Sequence, residues 1–403
     1  MGALSHLKVL DLSRVLAGPW ASQILGDLGA DVIKIERPGS GDDTRSWGPP
    51  YLNDAAGHPT SEAAYFLATN RNKRSVTVDM AKPEGQALIR ELAMQADVVL
   101  ENFKVGGLKQ YGLDYVSLKA VNPKLVYCSI TGFGQDGPYA ERAGYDFLIQ
   151  GLGGLMSLTG EPDGDPQKVG VALTDIMTGL YATIGVLAAM AHRDRTGEGQ
   201  HIDMALLDVQ VACLANQAMN YLATGIAPKR LGNAHPNIVP YQAFPTADGD
   251  MILAVGNDSQ FAKFCEVAGQ AWAQDERFAT NRARVANRQR LVPLIRQTTV
   301  MRTTAEWIAA LEAVGVPCGP INTLDQVFAD PQVVQRGLHV DLYHPTAGHA
   351  PTVASPLRLS VSPVEYRTAP PLLGQDTDTA LIDWLGVSNE RLIALRALGV
   401  LGN

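Results

Sequence analysis

One carboxylate in this chain is set apart from every other. Asp175 lies in Gly170-Val171-Ala172-Leu173-Thr174-Asp175-Ile176-Met177-Thr178-Gly179-Leu180, and no other Asp or Glu occurs between Asp165 and Asp194. An Asp ahead of an apolar helical run reads first as a helix cap, its oxygens accepting the orphan N–H groups of the first turn. The same place suits a nucleophile, because the positive end of a helix favours the carboxylate form and an ionised carboxylate can attack an activated acyl group. The two readings are compatible, and the residues alone leave both open.

Two cationic segments point to an anionic ligand. Asn70-Arg71-Asn72-Lys73-Arg74-Ser75 sets its cations in a short loop before a strand, and Arg37 with Gly39-Ser40-Gly41 follows the strand expected at Asp31–Glu36. Cations at strand ends can hold phosphates, since the ligands of parallel sheets gather at the carboxyl ends of strands. The plain alternative for each is a solvated charged loop. Tyr145-Asp146 follows Arg142-Ala143-Gly144 and precedes Gly151-Leu152-Gly153-Gly154, small residues that let a backbone approach a ligand closely. Tyr145 reads equally as a core aromatic with a satisfied hydroxyl. His235, in Gly232-Asn233-Ala234-His235-Pro236-Asn237, reads first as part of a turn-rich loop and second as a cover over a substrate.

The elements that must position these residues alternate. Short β-type runs and helical runs interleave over the first two hundred residues, the pattern of an α/β domain around a largely parallel sheet. Strands are expected at Leu7–Leu12 and Asp31–Glu36, flanking a helix over Trp20–Leu28. Next come a strand at Ser75–Asp79, a helix at Pro83–Ala96, a strand at Asp97–Glu101, a helix around Tyr115–Ala120 and a strand at Leu125–Thr131. The glycines at 151–154 do not follow a strand at GxGxxG spacing, so the dinucleotide fingerprint is missing. After a helical Met204–Leu222 the texture changes at Thr224-Gly225, where a strand at Ile252–Val255 mixes with helices at Gln260–Ala268, Leu291–Thr298 and Thr304–Val314. The expected division is a large domain over 1–200, a linker over 201–225, a smaller α+β domain over 226–325, and a linker with a C-terminal return segment over 326–403 that ends in a helical tail, Asp376–Ala397.

Composition sets the limits. A length of 403 residues suits two or three domains, and 46% hydrophobic with 18% charged residues excludes disorder, collagen and coiled coil. Lys and Arg total 33 against 41 Asp and Glu, a net charge of −8, which argues against a nucleic-acid or anionic-membrane surface and requires any anionic ligand to be met by a concentrated local site. Cys128, Cys213, Cys265 and Cys318 lie far apart with no CxxC pair and no His at ligand spacing, so a reducing compartment and no metal site are expected. Residues 1–12 carry no secretory signature, and the apolar stretch from Asp175 to about Ala191 includes Thr178, Tyr181 and Thr183. It reads as a buried helix of a cytoplasmic protein rather than a membrane span.

Taken together, the segments resemble the class III CoA-transferases, the family of formyl-CoA transferase and carnitine CoA-transferase. The matching pieces are Val9–Asp11 with Leu16-Ala17-Gly18-Pro19, Gly29–Arg37, Asn72-Lys73-Arg74-Ser75, Glu101-Asn102-Phe103, Thr178-Gly179, Gly315–Pro320 and Pro371–Gln375, in order along nearly the whole chain. The resemblance implies a large Rossmann-like domain with a smaller α+β domain, in a homodimer whose chains interlock. It implies that Asp175 is the aspartate that forms acyl-anhydride and aspartyl-CoA intermediates. Val15, Leu16, Arg37, Val78, Ala81, Asn102, Phe103 and Tyr145 fall at positions of the CoA site. Gln110 and Ala143 stand where formyl-CoA transferase has basic residues, so the neighbouring Lys109 and Arg142 are expected in their place. No metal or cofactor is implied, since the CoA thioester is itself a substrate.

The same fold family includes α-methylacyl-CoA racemases, which carry a His where Tyr145 stands; tyrosine is a poor proton acceptor at neutral pH. A racemase-like enzyme and an inactive CoA-binding protein are the alternatives to a transferase. Gly41–Pro50, Val239–Phe244 and Val327–Val333 most resemble the succinyl-CoA-dependent branch that acts on dicarboxylates such as glutarate, related C4–C6 acids or sulfinopropionate. Such an acceptor has one carboxylate that reacts and one that must be held, and Arg45, Asp146 and His235 are the expected anchors.

Overall fold

The structure, a computed structural model, describes residues 2–402. The chain divides into two compact units. The first runs to Gly154, resumes over Val169–Ala218 and returns from Gln332, while the second holds Leu155–Lys168 and Met219–Pro331.

The first unit is built on six strands, β1 (Lys8–Asp11), β2 (Asp31–Glu36), β3 (Lys73–Thr77), β4 (Val98–Glu101), β5 (Val126–Thr131) and β6 (His201–Ala205). They lie in the order β3-β2-β1-β4-β5-β6 with every neighbour parallel. Strands of such a sheet are covered on both faces, and β4 and β5 are buried at every residue. Alternate side chains feed two cores. Val9, Val98 and Val126 pack under α1 (Ala17–Asp27) and a long helix near the middle of the chain, whereas Leu10, Val99 and Tyr127 pack under α2 (Pro83–Gln95) and the C-terminal helices Thr377–Leu385 and Asn389–Ala397. The middle of the chain supplies α3 (Asp146–Leu152), α4 (Leu173–Thr196) and α5 (Leu206–Ala212). α4 crosses α1 at Gly179, where a Cβ would fall 2.7 Å from the Ala17 carbonyl oxygen and 3.0 Å from the Trp20 side chain. Only glycine allows that approach.

Several boundaries differ from expectation. Residues 201–225, expected as a linker, hold the sheet's edge strand β6, α5 and a helix over Ala215–Thr224 in which the division between the units falls. The sheet claims 201–205 because Tyr127 to Thr131 of β5 pair with it residue by residue, which no local pattern reveals. The second unit also takes in 155–168 and extends to Pro331. The C-terminal tail is two helices, the first closed by Gly386 in the left-handed conformation. α4 is the one described helix with the length and apolarity to cross a membrane, and Thr174, Thr178, Ala182, Val186 and Met190 form its buried face in the first unit's core.

The second unit is α+β. Strands β7 (Tyr241–Pro245), β8 (Asp250–Ala254) and β9 (Cys318–Pro320) form an antiparallel sheet in the order β9-β8-β7. Its core joins Phe244, Met251 and Leu253 to Phe261, Leu291 and Trp307 of the surrounding helices.

A buried charge network supports the carboxyl ends of β1 and β2. Lys34 and Asp42, both with fully buried side chains, pair at 2.8 Å, and Lys34 also donates to the Ser13 carbonyl at 2.8 Å. Asp11 accepts the Ser13 and Ser22 hydroxyls at 2.5 Å each and the Lys73 ammonium at 3.2 Å. Glu36 accepts a two-pronged bond from Arg45, both legs 2.7 Å, and the Ser75 hydroxyl at 2.7 Å. Burial works against the charge of Asp42, but the Lys34 ammonium and the amide and hydroxyl of Thr44 outweigh it and hold the carboxyl down at about 2.

Asp42→Asn leaves the Lys34 ammonium buried without its partner charge and should cost about 3–5 kcal/mol at pH 7. The folded carboxyl titrates at about 2, below the roughly 3.9 of an unfolded chain, so its contribution is complete above that unfolded value and is lost as pH falls towards 2. Urea unfolding of both proteins should show the gap narrowing by about 1 kcal/mol between pH 7 and pH 3. An unchanged gap would mean that the pair does not hold Asp42 ionised.

Candidate active site

A cleft of about 830 Å³ opens at the carboxyl edge of the sheet. Between β1 and β4 the strand order reverses direction, and a parallel sheet is expected to bind its ligand in the crevice at such a point. The segments that follow β1 to β5 line it, joined by Asp175 from α4, and all its lining residues lie in the first unit.

The turn after β1 is held under strain. Val15 has φ of +71°, a left-handed conformation that costs a β-branched residue about 1–3 kcal/mol. Two partners hold the turn there. Asp42 accepts the Val15 N–H at 3.2 and 3.3 Å, and Asn102 clamps Arg14 by accepting its N–H at 2.9 Å and donating to its carbonyl at 2.7 Å. Leu16 then flanks the first turn of α1. Val15, Leu16, Val78, Ala81, Asn102 and Phe103 all line the cleft, as do Arg37, Arg142 and Tyr145.

The cations separate into two groups. Arg37 and Lys104 line the cleft, are exposed, and make no side-chain hydrogen bond or ion pair among the described residues. Arg142 lies over the rings of Phe133 and Tyr139, at 5.2 and 4.5 Å. In contrast, Arg71 is buried against Asp27 at 2.6 Å, Lys73 against Asp11, and Arg74 pairs with Asp31 and Asp383 at 2.6 and 2.7 Å. None of these three lines the cleft, which corrects the expectation of a phosphate loop at 70–74. That segment enters β3 from its amino end, away from the ligand edge.

Four further expectations need correction. Lys109 does not line the cleft, whereas Gln110 beside it does. The two share a 3₁₀ turn, Lys109–Tyr111, in which successive side chains diverge by about a third of a turn. Arg45 is committed to Glu36, to the Pro371 carbonyl at 3.1 Å and to the face of Phe66 at 3.7 Å, so it anchors the fold rather than a substrate. Asp146 is absent from the lining because its carboxylate accepts the N–H groups of Thr174 at 2.8 Å and Asp175 at 3.3 Å. His235 belongs to the second unit, where its Nδ1 accepts the Asn237 N–H at 3.1 Å and its ring lies 5.3 Å from that of Tyr241.

Asp175 is the third residue of α4 and does not cap it. Burial, with the Asp146 carboxylate as a second cause, pushes its pKa up to about 7, against the pull of the helix N-terminus towards the ionised form. Tyr145 is 65% exposed and so is no core aromatic. Sequence reasoning missed Lys104, although a cation directly after the Glu101-Asn102-Phe103 match was a usable signal. Tyr65 does not line the cleft, although its half-buried phenol is pushed up by desolvation and by the charges of Asp175, Asp146 and Asp42.

The sequence pattern of CoA-transferase family III matches residues 4–377. The chain belongs to that family. It is 57% identical over 373 residues to succinate–glutarate CoA-transferase of Agrobacterium fabrum, covering 92% of this chain and 93% of that one. It is 44% identical over 398 residues to succinyl-CoA:glutarate CoA-transferase of Homo sapiens, covering 98% and 89%. Among solved structures, a CaiB/BaiF family protein from Brucella suis aligns with a TM-score of 0.84 at 54% identity, over 95% of this chain and 99% of that one.

For a family III CoA-transferase, the separation of free from committed cations makes a direct prediction. Arg37→Ala should raise the KM for the acyl-CoA roughly 10- to 100-fold, the equivalent of one lost charge-assisted contact, and leave the KM for the free acid nearly unchanged. Arg71→Ala should lower the melting temperature and leave the ratio of the two KM values as it was. Steady-state kinetics and thermal unfolding of the two variants distinguish these outcomes.

Proposed function

We propose that the protein moves CoA from succinyl-CoA to glutarate or a related C4–C6 dicarboxylate, with Asp175 as covalent nucleophile. The observation that carries the reading is Asp175 set in a cleft that also exposes Arg37, Lys104 and Arg142. The names of the relatives from Agrobacterium fabrum and Homo sapiens support succinyl and glutarate as donor and acceptor groups.

A carboxylate attacks the thioester carbonyl, the C–S bond breaks, and a mixed anhydride forms as CoA leaves as thiolate. The thiolate then attacks the aspartyl carbonyl of the anhydride, which releases succinate and leaves CoA on Asp175. The acceptor carboxylate repeats the sequence in reverse, attacking the aspartyl thioester to form a second anhydride. The returning thiolate takes the acceptor's acyl group and frees Asp175. Every bond made matches one broken, with no net proton or electron, so the exchange calls on no cofactor. A carboxylate titrating near 7 is more basic than an exposed one and a correspondingly better nucleophile once ionised.

The working unit on this reading is a homodimer of interlocked chains. Leu180, Tyr181, Ile184 and Leu187 of α4 and Val211 of α5 are large apolar side chains left exposed in the single chain, and a second copy would cover them. Cys128, Cys213, Cys265 and Cys318 are all unpaired, which fits a reducing cytoplasm.

Asp175→Ala should keep its fold, since the side chain makes no cap bond, and should lose exchange altogether. Wild type incubated with succinyl-CoA and hydroxylamine should carry the trapped label on Asp175, as read by peptide mass spectrometry. Label on another residue, or turnover by the Ala variant, would overturn the assignment. A panel of acceptors read as CoA esters should favour glutarate and succinate; preference for formate or acetate would overturn the acceptor class and leave the transferase standing.

A further inference from the structure

The first turn of α4 is capped from outside the helix. Ala172, the residue flanking its start, supplies no side-chain cap. Oδ1 of Asp146, the first residue of α3, fills that role by accepting the N–H of Thr174 at 2.8 Å and of Asp175 at 3.3 Å. Its Oδ2 accepts the Gln150 side-chain amide at 2.7 Å, and the fully buried Gln150 is itself fixed by accepting the Val169 N–H at 2.9 Å. The Thr174 hydroxyl donates to Gln210 of α5 at 2.7 Å, which ties the same turn to a third helix. Three N–H donors thus surround the Asp146 carboxylate.

We propose that Asp146 is the positioning residue of this site: it fixes the start of α4, and its charge beside Asp175 favours transfer of the nucleophile's charge to the departing thiolate. The inference rests on Asp175 as nucleophile. Two carboxylates held close repel one another, so the ionised pair is raised in energy before attack. As the anhydride bond forms and the C–S bond breaks, the negative charge leaves Asp175 and ends on sulfur, and the repulsion falls. The cap bonds persist throughout. An interaction that is worse in the ground state than in the transition state accelerates the step. The raised titration of Asp175, with Asp146 as its one charged cause, agrees with this geometry.

Other groups around Asp175 do not take this part. Tyr65 of the short helix Ala64–Leu67 is neutral at working pH, with its phenol pushed up. Asp42 is spent on Lys34, and Asp203 of β6 accepts the Gln135 N–H at 2.9 Å. Asp208 of α5 is exposed, Asp27 at the far end of α1 pairs with Arg71, and Arg142 and Tyr145 share the cleft.

Asp146→Asn keeps the capping oxygen and removes the charge. Its pH profile for succinate release in a single turnover with succinyl-CoA should have the acid limb shifted down by about half a unit or more, since the repulsion that raises Asp175 is gone. Its plateau rate should fall several-fold, with the KM for succinyl-CoA within about two-fold of wild type, because the charge acts on the chemical step. Asp146→Glu keeps the charge and should keep the limb near that of wild type while losing rate through the displaced cap. If Asp146→Asn does not fold, Asp146→Ser supplies a neutral capping oxygen and reads the same limb. A ¹³C-carboxyl titration of the free protein, with Asp175 assigned by its loss in Asp175→Asn, should show the same downward shift. A limb and a titration that coincide with wild type in the neutral variants would overturn the proposal. Absence of any succinate release by wild type would overturn the nucleophile reading instead, and the carboxyl titration separates the two failures.

Discussion

The pairing of Lys34 with Asp42 is the constraint on which the cleft depends. Taking two ions out of water costs several kcal/mol each, and the pair persists only because the surrounding groups complete it. Lys34 lies on β2, next to the edge strand β3, and the Asp42 it holds ionised accepts the Val15 N–H, so a strained turn is fastened to the sheet through two buried charges. From Val15 the chain passes Leu16 into α1, and α1 is what α4 crosses at Gly179. The position of Asp175 is therefore linked, element by element, to a buried ion pair among the residues that line the cleft. Glu36 closes the same loop from the other side by accepting the Asp42 N–H at 2.9 Å.

An acidic chain can still host a polyanion because the direction of the strands sorts its cations. Residues that enter a parallel strand and residues that leave it sit at opposite edges of the sheet, and only the second edge borders the crevice. Arg71 and Lys73 enter β3 and are spent on Asp27 and Asp11, whereas Arg37 follows β2 and Lys104 follows β4 with nothing in the described chain to neutralise them. The net charge of −8 describes the whole surface, and a few unpaired guanidinium and ammonium groups on one rim set the potential a ligand meets.

Much of the first unit was legible in the sequence because its strands are continuous apolar runs between turn residues. Asp31–Glu36 has the bounds its pattern implies, and Asp175 stood out by isolation alone. What escaped were features decided at long range. β6 reads as part of a linker, its last two residues as the start of a helix, until it pairs with β5. Asp175 reads as a cap because Asp before an apolar run is normally one; the true cap, Asp146, lies 29 residues earlier and reaches α4 only through the packing of α3. Arg45 reads as a free anchor because its partner Glu36 is nine residues away at the end of a strand. Most positions that the resemblance assigns to the CoA site border the cleft, while the commitments of neighbouring charges escaped it, since a charge's partner is a property of the folded network and not of its own segment.

α4 carries both an exposed apolar face and Asp175 at its first turn. Its buried face is small and close-packed, with Thr174, Thr178, Gly179 and Ala182 pressed to the sheet and α1, while Ile184 on the other side is 60% exposed. A helix held on one side only leaves its first turn, where Asp175 sits, dependent on the Asp146 cap and the Gln210 bond for its position. Covering the outer face with a second copy would bury apolar area worth roughly 25 cal/mol per Å² and would hold the helix from both sides. In the proposed dimer the free energy of association then also restrains the nucleophile. On the proposed reading, chain pairing and a well-placed Asp175 are two consequences of the same apolar stretch that, in sequence, looks only like the inside of a helix.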